Sequence, residues 1–205
     1  MHPGIIHAVA TAERVIAFTF DDGPDAVYTP QLLDIFRQVG GKATFCMVGS
    51  QIDKNSEVAA AVHAAGHEIA NHTYTHPFLT RIELDEARQE LIRNERRIRE
   101  VTGGEPVRTF RPPYFDANDA IIALAEELGC KSLGATNLEA RDWDQPGVEH
   151  ILNHTRNAVT PGSILIFHDG FGDRSQTVEA VRILVSELAE EGYRFVTASE
   201  LLGLV

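Results

Sequence analysis

The chain has 205 residues, enough for a sizeable core, and 43% hydrophobic against 23% charged residues is a globular balance without the signature of disorder. A formal net charge of −12 argues against nucleic acid or an anionic membrane surface as partner. No apolar run reaches the ~18 residues of a membrane span, and the opening Met1-His2-Pro3-Gly4-Ile5-Ile6 has no basic region followed by an apolar one, so a cytoplasmic location is the default expectation.

The first element is an apolar run over residues 15–20, read as a short buried strand. It stops at Asp21-Asp22 and then at Gly23-Pro24, a strong turn signal. Two carboxylates at the end of a buried strand need a metal, a base or a hydrogen-bond network, unless the turn is simply solvated. Thr29 and Pro30 suit the N-cap and first position of a helix with an apolar face at Leu32, Leu33, Ile35, Phe36 and Val39, ended by Gly40-Gly41. A second strand over 43–48 carries Cys46. A helix over 57–65 and a short strand over 67–70 lead to His72-Thr73-Tyr74-Thr75-His76-Pro77. Thr80 and Glu83 form a capping box, with Leu79 and Leu84 as its hydrophobic staple, for a long helix stopped by Gly103-Gly104. Its cluster Arg93, Arg96, Arg97 and Arg99 reads as a solvated face. A strand over 107–111 precedes Pro112-Pro113-Tyr114. A helix over 118–128 and a strand over 130–135 follow. A loop then carries Arg141-Asp142-Trp143-Asp144. A helix over 148–159, a very apolar strand over 163–167, His168-Asp169-Gly170, a helix over 176–191, a strand over 194–196 and a short helix capped by Ser199 complete the chain. Cys46 and Cys130 lie in apolar runs and are expected as buried free thiols.

This alternation, without an internal linker, predicts one α/β domain over residues 1–205: a distorted (β/α) barrel of about seven parallel strands. The polar clusters all follow strands, and in a barrel the strand C-termini meet on one face where catalytic groups collect.

His72 and His76, four apart on a helix or tight turn, are spaced to ligate one ion, or are merely polar loop residues. Joined by one carboxylate from the first strand, they leave coordination positions open, as a catalytic site requires. The second carboxylate then suits a general base, and His168, at the mouth of an apolar strand, suits a general acid. Arg111 either orients that base or makes a surface ion pair. Trp143 is either a pocket wall or a core filler. The same two-histidine, one-carboxylate set would also hold Fe(II) in an oxygenase.

These stretches resemble the polysaccharide deacetylases of carbohydrate esterase family four, the NodB-homology domain, whose five motif regions are matched in order. Thr19-Phe20-Asp21-Asp22-Gly23-Pro24 resembles the first motif, His72 to His76 the second, Arg111-Pro112-Pro113-Tyr114 the third, Asp142-Trp143 the fourth and Ile166-Phe167-His168 the fifth. The resemblance implies that Asp21 is the general base and that Asp22, His72 and His76 hold a divalent metal, with Zn²⁺ first and Co²⁺ or another ion open. It implies that Arg111 orients the base and that the Tyr114 backbone N–H holds the oxyanion. Asp142 would support the Arg/His network, Trp143 and Ile166 would line the acetyl pocket, and His168 would be the general acid; Pro113 is counted with the substrate-binding residues. Three positions depart from the family: Ile166 where leucine is usual, Phe115 where glycine often follows the tyrosine, and Cys46 where an aromatic is common. The implied reaction is metal-assisted removal of N-acetyl groups from an amino-sugar polymer or oligomer, chitin-like or peptidoglycan, with acetate released. Members often act outside the cytoplasm. An O-deacetylating acetylxylan-type esterase and a non-catalytic sugar-binding domain are the alternatives. The polymer and the oligomeric state are left open.

Overall fold

The computed structural model describes residues 2–205. Its centre is β1 (Val15–Asp21), buried along its whole length. Strands β2 (Thr44–Met47), β3 (Glu68–Asn71), β4 (Thr109–Phe110) and β5 (Lys131–Ser132) follow one another on one side of β1, and β6 (Ile164–His168) lies on the other. β7 (Arg194–Phe195) pairs with the start of β1. Every pairing between these strands is parallel. The helices α1 (Tyr28–Gln38), α2 (Gly49–Lys54), α3 (Ser56–Ala64), α4 (Leu84–Val101), α5 (Asp119–Glu127), α6 (Val148–Ala158), α7 (Ser175–Glu190) and α8 (Ala198–Leu201) fall between and after the strands. This is the expected distorted barrel of seven parallel strands. β5 and β6 share no ladder. Residues 6–9 run between them instead, with bridges Ile6–Leu133 and Ala8–Ser163. Higher up, the Asn137 side chain takes the place of a strand: its Oδ1 accepts from the Ile166 N–H at 2.7 Å and its Nδ2 donates to the Ile166 carbonyl at 3.0 Å.

The period of two along β1 divides large side chains from small ones. Phe18 and Phe20 join Phe36, Phe45, Phe167 and Phe195 in an aromatic layer with ring centroids 5.1 to 6.0 Å apart. Each fully buried ring of this kind contributes about 1.5–3 kcal/mol relative to exposure. The other face carries Ala17, Thr19 and Asp21. Ala17 packs with Cys46, Ala70, Leu133, Ile164 and Ala198 in a second, smaller core. Small side chains there leave room for Arg111, which is 1% exposed. Cys46 therefore belongs to this inner layer, where burial pushes its thiol well above the ordinary range. Both cysteines are buried and free, as expected.

Several local expectations are corrected. α1 is preceded by Val27, not capped by Thr29; the Asp25 carboxylate accepts from the N–H groups of Val27 and Tyr28. The Thr80–Glu83 capping box does not form, because Asp116 takes both the N–H and the hydroxyl of Thr80, and α4 begins only at Leu84. Leu79 is buried while Leu84 is 44% exposed, so there is no staple. Thr197 caps α8, since the Ser199 hydroxyl donates to Glu68. α2 was not expected. The arginine cluster is the solvated face anticipated: Arg97 pairs with Asp53 and Glu100, and Arg99 with Glu95. Among the described residues no helix is long and apolar enough to cross a membrane.

Candidate active site

The C-terminal ends of β1, β3, β4 and β6 bring Asp21, Asp22, His72, His76, Arg111 and His168 to one cleft of about 560 Å³. Two glycines let the ends of β1 and β6 meet. A Cβ on Gly170 would lie 2.0 Å from the Asp22 carbonyl oxygen, and one on Gly23 would lie 2.5 Å from the Asp169 carboxylate. Asp22 itself turns out of the strand with φ 76°, in the left-handed region that Asp tolerates better than most residues.

The segment after β3 is a tight turn, not a helix. Thr73 and His76 have φ 63° and 65°. The Asn71 carboxamide accepts from the Thr73 N–H, the Thr73 hydroxyl accepts from the His76 N–H, and Glu90 of α4 accepts from the N–H groups of Tyr74 and Thr75. This places the His72 and His76 rings 4.8 Å apart. One ligand atom from each of Asp22, His72 and His76 lies within 4.8 Å of the others.

The donor set fits a cation. The His72 Nδ1 lies 2.7 Å from the Arg111 carbonyl, which can only accept, so Nδ1 carries the proton and Nε2 presents a lone pair. That Nε2 is 3.6 Å from Asp22 Oδ1, and His76 Nε2 is 3.1 Å from the same oxygen. Asp22 Oδ1 is buried and has no hydrogen-bond donor.

Asp21, 3% exposed, is fixed from one side. Arg111 Nη1 donates to its Oδ1 at 2.7 Å and to the Thr19 hydroxyl at 2.6 Å, and Nη2 donates to the Gly134 carbonyl at 2.7 Å. Of the two readings of Arg111, orientation of a buried carboxylate is therefore the one observed. Asp142 is equally constrained: Oδ1 accepts from His168 Nδ1 at 2.9 Å, and Oδ2 accepts from the His168 N–H and the Thr177 hydroxyl. His168 thus turns Nε2 away from Asp142. Burial lowers a histidine's pKa, but the charges of Asp142, Asp21 and Asp22 overcome this and raise His168 to about 9.

Ile166, Tyr114 and Trp143 line the cleft, so Trp143 is a wall residue and not core; its ring is 50% exposed. Pro113 does not line it: this proline is buried, and its neighbour Pro112 forms the wall. Tyr114 and Phe115 have φ 59° and 53°, which explains why glycine suits the Phe115 position. The Phe115 ring lines the cleft 5.8 Å from the Arg111 guanidinium carbon. Sequence reasoning missed Asn137, Arg141, Leu138 and Arg174, which also line the cleft.

A family model described as polysaccharide deacetylase matches residues 8–133. The peptidoglycan-N-acetylglucosamine deacetylase of Bacillus cereus is 44% identical over 195 residues, covering 95% of this chain and 91% of that protein. The crystal structure of a peptidoglycan N-acetylglucosamine deacetylase in complex with 4-naphthalen-1-yl-N-oxidanyl-benzamide shares the fold with a TM-score of 0.91 and 29% identity, over 97% of this chain and 92% of that one. A carbohydrate esterase family 4 pseudoenzyme from Bacillus anthracis gives a TM-score of 0.89 at 28% identity, over 98% of this chain and 70% of that one. Matched over more than half its length by that family model, and alike to a curated relative along nearly the whole of both chains, this chain belongs to the polysaccharide deacetylase family of amide-bond hydrolases.

Proposed function

We propose that the chain is a divalent-metal-dependent N-deacetylase, with Zn²⁺ the expected ion, acting on N-acetylglucosamine residues of a peptidoglycan-type or chitin-type glycan. The observation that carries this reading is the convergence of Asp22, His72 and His76, one ligand atom of each within 4.8 Å of the others, beside a carboxylate oriented by Arg111 and an imidazole held by Asp142. A fold shared with a pseudoenzyme does not decide activity, so the argument rests on these groups. Two imidazoles and one carboxylate suit Zn²⁺ and leave positions open for water and substrate.

Asp22, His72 and His76 would hold the ion, which when bound supplies a Lewis acid that lowers the pKa of water and polarises the acetyl carbonyl. Asp21, tethered through Oδ1 by Arg111, keeps Oδ2 for the proton of the attacking water. His168, protonated at neutral pH through its pKa of about 9, gives its Nε2 proton to the leaving amine, and Asp142 steadies the ring through both changes of charge. The Tyr114 N–H is assigned to the developing oxyanion, and the loss of one such donor typically costs about 3–4 kcal/mol. Trp143 and Ile166 form the wall against which the acetyl methyl packs.

The test is acetate release from N-acetylglucosamine oligomers and peptidoglycan, after chelation and again after Zn²⁺ or Co²⁺ is restored. Release that vanishes and returns with the metal is expected. Release from acetylated xylan alone would move the reading to an ester, and no release from any substrate with any ion would leave a sugar-binding domain.

A further inference from the structure

Beside the proposed metal ligands lies an aromatic ring that the chemistry above does not use. The turn after β6 reads Gly170-Phe171-Gly172. Phe171 has φ 54° and remains 49% exposed. A bulky residue held in this region is strained, and a half-exposed ring recovers only part of that cost by burial. Glycine would adopt the same backbone freely. Folding alone therefore gives no reason for a phenylalanine here.

The conformation is enforced by Arg174. This side chain is 5% exposed, and it makes no ion pair among the described residues. Its Nε donates to the Gly170 carbonyl at 2.7 Å, its Nη2 to the Phe171 carbonyl at 2.7 Å and its Nη1 to the Trp143 carbonyl at 3.1 Å. A nearly buried guanidinium paired only with backbone carbonyls is expensive to desolvate. What it secures is the placement of two loops, each of which presents a half-exposed aromatic ring beside the cleft. Trp143 lines the cleft, whereas Phe171 does not. The Phe171 ring stands 5.8 Å from the His76 ring, which also meets Tyr114 at 4.6 Å.

We propose that Phe171, clamped by Arg174, is a stacking platform for the pyranose ring adjoining the one whose N-acetyl group enters the cleft. The proposal rests on the deacetylase reading and specifies its substrate as linked sugars. The C–H face of a pyranose packs on an aromatic ring while its hydroxyls stay in water, which suits a ring that is exposed yet rigidly held. Binding energy from this remote sugar orients the reacting one.

The experiment compares wild type with Phe171→Gly, Phe171→Tyr and Arg174→Lys. Phe171→Gly removes the ring and also relieves the backbone, so its thermal midpoint should hold or rise. Zinc affinity, acetate release from the N-acetylglucosamine monomer and tetramer, and calorimetric binding of the tetramer to the metal-free proteins are measured. In Phe171→Gly the tetramer-to-monomer ratio of kcat/KM should fall about tenfold, with weaker tetramer binding, while zinc affinity changes less than about twofold. Phe171→Tyr should keep the ratio, and Arg174→Lys should fall between. An unaltered ratio, or zinc affinity falling in step with turnover, overturns the platform and leaves the ring as mere support for His76. If wild type releases no acetate, the deacetylase reading fails, and calorimetry alone decides Phe171: weaker tetramer binding in the glycine variant supports it, and equal or absent binding in both proteins overturns it.

Discussion

Glu68 and Asp22 are carboxylates at opposite ends of one barrel, and their surroundings differ in kind. Glu68 opens β3 at the floor. Its Oε1 accepts from the Thr109 and Ser199 hydroxyls at 2.5 and 2.6 Å, and its Oε2 accepts from the Thr44 hydroxyl and the Ser199 N–H at 2.8 and 2.9 Å. Four donors from three other segments leave it nothing to bind. Asp22 closes β1 at the rim, with a left-handed backbone and a buried oxygen that faces two imidazole nitrogens and no donor. A buried polar atom without a partner is costly, and a cation held by Asp22, His72 and His76 would remove that cost. The floor carboxylate holds strands together, and the rim carboxylate is, on the proposed reading, a ligand for a cation.

The strongest test of that contrast removes a rim imidazole. His72→Ala and His76→Ala should each weaken zinc binding by more than the ~10–100-fold typical of outer supporting groups, and acetate release should disappear with the metal. Full zinc stoichiometry in both variants would break the comparison, because Asp22 would then have no need of them. Next comes Asp21→Asn. It should retain zinc yet lose about 10²–10⁴ in kcat, the usual worth of a general base, whereas normal turnover would remove Asp21 from the chemistry.

The third effect is a pH dependence. In the metal-free protein His168 titrates at about 9 against an ordinary 6.5. Its folded-state pKa is raised, so its contribution to stability is complete below about pH 6.5 and is lost as pH climbs through about 9. Asp142→Asn removes the nearest charge that sustains the shift. The His168 titration followed by NMR should move down, the fall in stability between those pH values should flatten, and the alkaline limb of kcat/KM should move to lower pH. Bound Zn²⁺ should act in the same direction by offsetting Asp21 and Asp22. An alkaline limb that stays in place in Asp142→Asn would assign the acid to another group.

Much of this architecture was legible in the sequence because it depends on local patterns. β1, β2 and β6 are apolar runs, and four polar clusters follow strand ends, which parallel topology carries to one rim. The residues that misled did so for a shared reason. Thr29, Thr80 and Ser199 all sit where a helix cap is expected, yet each hydroxyl donates to a carboxylate from a distant segment: Asp169, Asp116 and Glu68. A local cap and a tertiary partner compete for one hydroxyl, and sequence shows only the first. β4, β5 and β7 are two-residue ladders whose ends are set by pairing rather than by hydrophobic period. Asn137 and Arg174 could not be singled out at all, because their partners include backbone atoms 29 and 31 residues away, and backbone partners leave no mark in residue type.

The smallest expected effect on turnover comes from the floor. Glu68→Ala leaves the Thr44, Thr109 and Ser199 donors without their shared acceptor. Hydroxyls can rotate toward other acceptors, but the Ser199 N–H is fixed at the start of α8. The loss should therefore be about 1–3 kcal/mol. For a chain of this size that is a fall in Tm of roughly 2–12 °C. Zinc affinity and kcat at 25 °C should stay within about twofold of wild type, since surface and interior sites that share no partner act nearly additively. Glu68→Gln should recover much of the Tm: its carbonyl can take the Ser199 N–H while the amide faces the Thr109 and Ser199 hydroxyls, which can turn to accept. A large loss of zinc affinity in Glu68→Ala, with the fold intact by circular dichroism, would mean that floor and rim are coupled through the small inner layer of Cys46 and Ala70, and that satisfying the floor is part of how the rim is held open for its ion.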